Sequence, residues 1–173
     1  VAFPYKTWDT NNATACSNAT LHIPVTKGSP DFTPSNDIDG LSFPTDGSTK
    51  DLIVNIAEIK NTPSQGQLIF RVRKLSAFTI TYDPNATTAN VAGGRPVNNA
   101  DWLFTEDAFF ITCTLKPGKT LNGFSISPVG FTITRNTGVP INTTQNITST
   151  IQTGSGGDSN DLNNVAVTSV TAN

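Results

Sequence analysis

Apolar and polar residues alternate with a period of two along most of the chain after residue 50. Leu52, Val54 and Ile56 share one face, and Ile59 follows three positions later instead of two, which predicts a bulge or a change of face. Lys60–Gly66 is built of turn formers. Beyond it Leu68, Phe70 and Val72 point one way, while Gln67, Ile69, Arg71 and Arg73 point the other. Phe78, Ile80 and Tyr82 alternate with Thr79 and Thr81, and Asp83–Ala100 then forms a long turn-rich loop. Trp102–Phe104 is a short strand. In the next, Phe109, Ile111, Cys113 and Leu115 share a face, and Lys116–Lys119 is a turn. Asn122–Ser127 and Val129–Thr134 are one strand interrupted at Pro128, or two short ones. Thr144–Thr153 turns Ile147 and Ile151 inward, Gly154–Asn164 is a polar turn, and Val165–Ala172 closes the series. No segment after residue 50 carries a helical period. About seven or eight short strands divided by turns predict an all-β, antiparallel β-sandwich in preference to a closed barrel.

Residues 1–49 differ, and are assigned to an N-terminal extension ahead of a sandwich over residues 50–173. The extension opens with Phe3, Tyr5 and Trp8 and continues through a polar stretch, Asp9–Asn18. It then alternates Leu21, Ile23 and Val25 with His22 and Pro24, where the proline restricts that strand to an edge. Residues 28–50 are rich in Pro, Gly, Asp and Ser. They form a linker, a functional loop, or a cover pinned by Phe32, Ile38, Leu41 and Phe43.

Composition narrows the function classes. Only 14% of the 173 residues are charged and the net charge is −2, which argues against nucleic acid and against a basic membrane-surface face. No apolar run approaches the ~20 residues a spanning helix needs, so membrane insertion is not expected. There is no methionine, which points to a processed start. The two cysteines are Cys16 and Cys113. An even count with a Thr/Asn-rich surface fits an oxidising compartment and a Cys16–Cys113 disulfide, worth about 4–5 kcal/mol for a loop of roughly a hundred residues in the chain-entropy description. The alternative is a buried free thiol at Cys113.

Candidate chemistry is sparse. His22 is the single histidine, and no nucleophile elbow, phosphate loop or zinc-protease motif is present. Asp101, Glu106 and Asp107 cluster near Trp102, beside turn positions where carboxylates serve as solvated ends. Asn36–Gly40 and Asp158–Asp161 offer dense oxygen donors, but neither has the spacing of a helix–loop–helix calcium loop, and Asx-turns account for both. The expectation is therefore a non-enzyme without cofactor or metal. Asn12, Asn18, Asn85, Asn142 and Asn146 head N-x-[ST] triplets and mark surface stretches open to glycosylation.

Two stretches carry a resemblance. Asp51-Leu52-Ile53-Val54-Asn55-Ile56 leads through a polar turn to Gly66-Gln67-Leu68-Ile69-Phe70. Gly157-Asp158-Ser159-Asn160-Asp161-Leu162-Asn163-Asn164 leads into Val165-Ala166-Val167. Over residues 50–173 the chain resembles the conserved-repeat, immunoglobulin-like modules of bacterial secreted surface proteins and adhesins. That resemblance implies a sandwich at the cell surface and no active site. The extension then becomes the candidate assembly segment, with Phe3, Tyr5, Trp8, Leu21, Ile23 and Val25 pairing into a sheet edge or groove of another copy to build a homopolymer. The alternative is a secreted module binding a surface glycan or host ligand through loops 28–50 and 83–100.

Overall fold

A computed structural model describes the backbone of residues 2–9 and 12–22 and the whole of residues 28–173. Its strands are β1 (Ala2–Asp9), β2 (Asn12–His22), β3 (Phe32–Ile38), β4 (Ser42–Phe43), β5 (Thr49–Glu58), β6 (Ile69–Arg73) and β7 (Phe78–Thr81). They continue with β8 (Thr88–Ala89), β9 (Arg95–Pro96), β10 (Trp102–Glu106), β11 (Phe110–Leu115), β12 (Ile126–Arg135), β13 (Thr143–Ile151) and β14 (Val165–Ala172). One sheet has the order β10-β11-β6-β13-β14-β4 and the other β3-β5-β12-β7. Neighbours are antiparallel, apart from a parallel contact of β14 with β4 through Thr171–Ser42 and Ala172–Phe43. The protein is an immunoglobulin-like antiparallel β-sandwich.

Eight of the sandwich strands run from Thr49 onward, within the seven or eight that alternation predicts. The other two, β3 and β4, come from residues 32–43, inside the segment assigned to the extension. Phe32 and Phe43 are fully buried, and β3 pairs with β5 from Phe32–Glu58 to Ile38–Leu52. Pro34 and the polar run Ser35–Asp37 hide this strand from a search for alternation. As an edge strand it needs an apolar face only where it meets the core.

Between the sheets, Leu52, Val54 and Ile56 of β5 meet Phe70 and Val72 of β6, Ile111 and Cys113 of β11, and Phe131 and Ile133 of β12. Trp102 is 1% exposed, stands edge-on to Phe70 with ring centroids 5.0 Å apart, and donates its Nε1–H to Ser127 Oγ at 3.0 Å. Cys113 is a free thiol with no exposed surface, so the structure does not support the expected disulfide with Cys16. Its strand turns it into the core beside apolar neighbours, where it acts as a small hydrophobe and burial pushes its pKa well up. The side chain of Cys16 lies outside the described residues.

β12 runs unbroken through Pro128. On the far side from β5 it meets β7 only over Thr132–Arg135, so near Pro128 no further strand needs a backbone donor. Ile59 lies past the end of β5 and is exposed, so neither a bulge nor a change of face occurs within the strand.

β5 is buried on both faces. Its outer side chain Ile53 packs with Ala89, Val91 and Val97 in a second, smaller cluster. These three come from the stretch expected as an open loop, which instead folds as a flap, β8 and β9 included, over the outside of the four-stranded sheet.

Candidate functional site

The flap is fixed by side chains that take the place of strand pairing. Asp51 Oδ2 accepts the Asn90 N–H at 2.7 Å, and Asp39 Oδ2 accepts the Ala92 N–H at 2.8 Å. Arg95 is ion-paired with Asp37, whose carboxylate also accepts from Asn55 Nδ2 at 2.9 Å. The hydrogen bond from Arg95, against the opposing effect of burial, holds the Asp37 carboxyl below its ordinary range. Residues 83–98 are thus committed to covering the sheet.

The acidic cluster around β10 does not converge. Asp101 pairs with Lys119 at 2.8 Å and Glu106 with Lys74 at 2.6 Å, while Asp107 Oδ1 accepts the N–H groups of Phe109 and Phe110. Among the described residues, no three Asp, Glu, His or Cys side chains come together as a metal site. The side chain of His22 lies outside the described residues. Asn85, Asn142 and Asn146 are exposed, and those of Asn12 and Asn18 lie outside the described residues.

A different feature does stand out. β7 ends one sheet and β10 ends the other. Beside the free edge of β7 lies a groove of about 480 Å³, lined by Leu75, Ile80, Thr81, Tyr82, Lys74 and Glu106. Tyr82 stacks on Phe104 of β10 at 4.4 Å with 12° between the rings, so an aromatic pair bridges the sheets at the groove. Burial, reinforced by Glu106, raises the Tyr82 pKa. Phe78–Thr81 thus pair with β12 on one side, and among the described residues their other edge is free next to apolar surface. The period-two face of Phe78, Ile80 and Tyr82 was visible in sequence. That β7 has no neighbour on one side was not, because strand order is a long-range property.

The N-terminal segment folds on itself. β1 and β2 form a two-stranded antiparallel sheet of their own, pairing Phe3 with Leu21 and Trp8 with Cys16 along the backbone. β2 includes the polar stretch Asn12–Asn18 as well as Leu21. Ile23 and Val25 lie outside the described residues, as do the side chains of Phe3, Tyr5, Trp8 and Leu21.

No protein-family model matches the sequence, and no curated protein matches it. Solved structures do match in shape. The chain is similar to the major pilin subunit of Bacillus cereus at 11% identity and a TM-score of 0.50, over 99% of this chain and 46% of the pilin. It therefore spans about half the length of that subunit. It is also similar to the CARDB domain of a Pyrococcus furiosus protein (13% identity, TM-score 0.49, 87% of this chain and 95% of that one). A third match is the collagen-binding domain of a Staphylococcus aureus adhesin (10% identity, TM-score 0.44, 85% and 99%). At these identities the likeness is one of fold. No helix among the described residues is long and apolar enough to cross a membrane.

Proposed function

We propose that the chain is an extracellular, non-catalytic structural subunit of a surface filament or adhesin, in which the N-terminal segment of one copy adds to the free β7 edge of the next. The observation that carries this reading is the unpaired Phe78–Thr81 edge beside the Leu75/Ile80/Tyr82 groove. An exposed strand edge next to apolar surface is a template for β-augmentation, with backbone bonds giving affinity and alternate side chains giving register. The donor is at hand. A two-stranded ribbon is marginal in isolation, so β1 and β2 gain by joining a larger sheet. Between Val1 and Trp8 the only charged side chain is Lys6, which suits a groove whose two charged residues, Lys74 and Glu106, already neutralise each other. A major pilin shares the fold, which makes a filament role one that this architecture permits. Transfer between copies is head-to-tail and does not close, so it yields a fibre.

A glycan- or host-binding module working through loops 28–50 and 83–100 has less to rest on. The first region supplies β3 and β4, and the second is packed as the flap.

Negative-stain microscopy of the purified chain tests the assembly reading against two variants, deletion of residues 1–9 and Thr81→Lys. Filaments from the parent, and discrete folded particles from both variants, are expected. Filaments that persist in both variants overturn it.

A further inference from the structure

We propose a calcium site at the end of the sandwich where Asp31 meets the turn Asp158–Asn164. Asp31 is 3% exposed, Asp158 9% and Asn164 3%. Three buried oxygens here, Asp158 Oδ2, Asn163 Oδ1 and Asn164 Oδ1, have no hydrogen-bond partner among the described residues. All three are acceptors, so what they call for is positive charge or a donor. Buried acceptors left unmatched are costly, and their clustering within seven residues of one turn points to a common ligand.

The bonds that exist tie Asp31, Asp158, Asn160 and Asn163 into one group, with Asn164 Nδ2 donating to Asp161 Oδ1 of the same turn at 3.2 Å. Asn163 Nδ2 donates to Asp31 Oδ1 at 2.8 Å, and Asn160 Nδ2 to Asp31 Oδ2 at 3.4 Å. Asp158 Oδ1 accepts the Phe32 and Asn160 N–H groups, both at 3.3 Å, which seats its carboxylate against the residue that follows Asp31. Turning the Asn163 amide over does not help, because its oxygen would then face the Asp31 carboxylate. Either orientation leaves oxygen looking for a cation.

Charge leads to the same place. Asp31, Glu58 and Asp158 are all buried at this end. The paired cation is Lys60, 3.1 Å from Asp31 Oδ2, with its own side chain half exposed. Glu58 is matched by backbone N–H groups of Asp31, Lys60 and Phe124 at 3.0–3.3 Å. Asp158 has no basic partner among the described ion pairs. The unmatched Asp158 carboxylate oxygen with the amide oxygens, and no nitrogen or sulfur ligand, suits a hard, flexibly coordinated cation. That is calcium, in preference to zinc or to strictly octahedral magnesium. The small number of carboxylates puts the affinity in the weak range of extracellular modules, with a Kd on the order of 10⁻⁴–10⁻³ M. This site lies apart from the β7 groove and stands or falls independently of assembly.

Thermal unfolding of the full chain, after EDTA treatment and then in CaCl₂ or MgCl₂ up to about 10 mM, tests it alongside isothermal titration. Tm is expected to rise with calcium and not with magnesium. Asp158→Asn is expected to weaken calcium binding about tenfold or more. Asn163→Asp adds a carboxylate, so Tm should fall in EDTA and calcium should bind about tenfold more tightly. That pair of opposite changes does not follow from a purely structural role. A parent protein whose Tm and titration do not respond to calcium overturns the proposal, as does an Asn163→Asp protein with no gain in calcium response.

Discussion

The side chain of Asn99 pairs with Gly130 as a strand neighbour would: its Oδ1 accepts the Gly130 N–H at 2.7 Å and its Nδ2 donates to the Gly130 carbonyl at 2.9 Å. The same Nδ2 reaches the Asp83 carbonyl at 2.8 Å. Asn99 has no exposed surface, and it closes the edge of β12 where β7 no longer runs alongside. Gly130 also lets the flap lie close over β12, since a Cβ there would come within 3.3 Å of Val97. Asn99→Ala strands two buried backbone groups, each worth about 1–3 kcal/mol when left unpaired, so a loss of about 2–6 kcal/mol is expected by urea denaturation. Asn99→Asp should cost more at neutral pH, because a carboxylate then faces two carbonyl oxygens.

Trp102 and Ser127 form a second buried pair. Ser127→Ala leaves the indole N–H without a partner, at about 1–3 kcal/mol. Trp102→Phe removes the donor and part of the packing on Phe70, at about 2–3 kcal/mol. The double variant should be less destabilised than the two losses added together, because the second change removes a group already orphaned. A double-mutant cycle reads this coupling directly.

Acid should unfold the protein through the Glu58 end. Burial raises the Glu58 pKa, but N–H donation by Phe124, Lys60 and Asp31 outweighs it and holds the carboxyl below its ordinary 4.5. At Asp31 burial again raises the pKa, and Asn163 with Lys60 brings it below 3.8. Carboxyls depressed on folding stabilise the native state fully above their unfolded pKa values and lose that contribution as pH falls through the folded ones. Stability is therefore expected to be flat above about pH 5 and to decline below about pH 4.5. Glu58→Gln should lower stability at neutral pH by about 2 kcal/mol and make the acid decline shallower, as measured by urea midpoints across that range.

Cys113 should be chemically silent while the protein is folded. In a Cys16→Ser background, a thiol reagent at neutral pH is expected to modify Cys113 only after denaturant is added. Prompt labelling of the folded protein would contradict its placement in the core.

Strands with an apolar face toward a single core were legible in the sequence: β6, β7 and β11 lie where alternation puts them, although β11 starts at Phe110 and leaves Phe109 exposed instead of inward. Four things were not. β3 is an edge strand whose outward residues are polar and whose middle holds Pro34, so its local pattern matches a loop. The flap looks like a loop because its apolar contacts, Ala89, Val91 and Val97, are spaced by turns and find their partner, Ile53, only in space. The oxygens around Asp31 and Asp158 come from residues more than a hundred positions apart, and spacing within either stretch carries no trace of the other. The free β7 edge belongs with these, since being last in a sheet is decided by where every other strand goes.

The flap over Ile53 also governs how the molecule can open. Leu52–Ala57 is paired to β3 on one side and to β12 on the other, with the main core beneath and the flap above. Fraying of the β3 edge frees only those β5 amides that bond to β3, and lifting the flap alone exposes side chains without breaking a bond between β5 and β12. The amides that bond to β12 lie inside the sheet, so their protection factors report the global unfolding free energy, while those facing β3, and those of β7, report local opening.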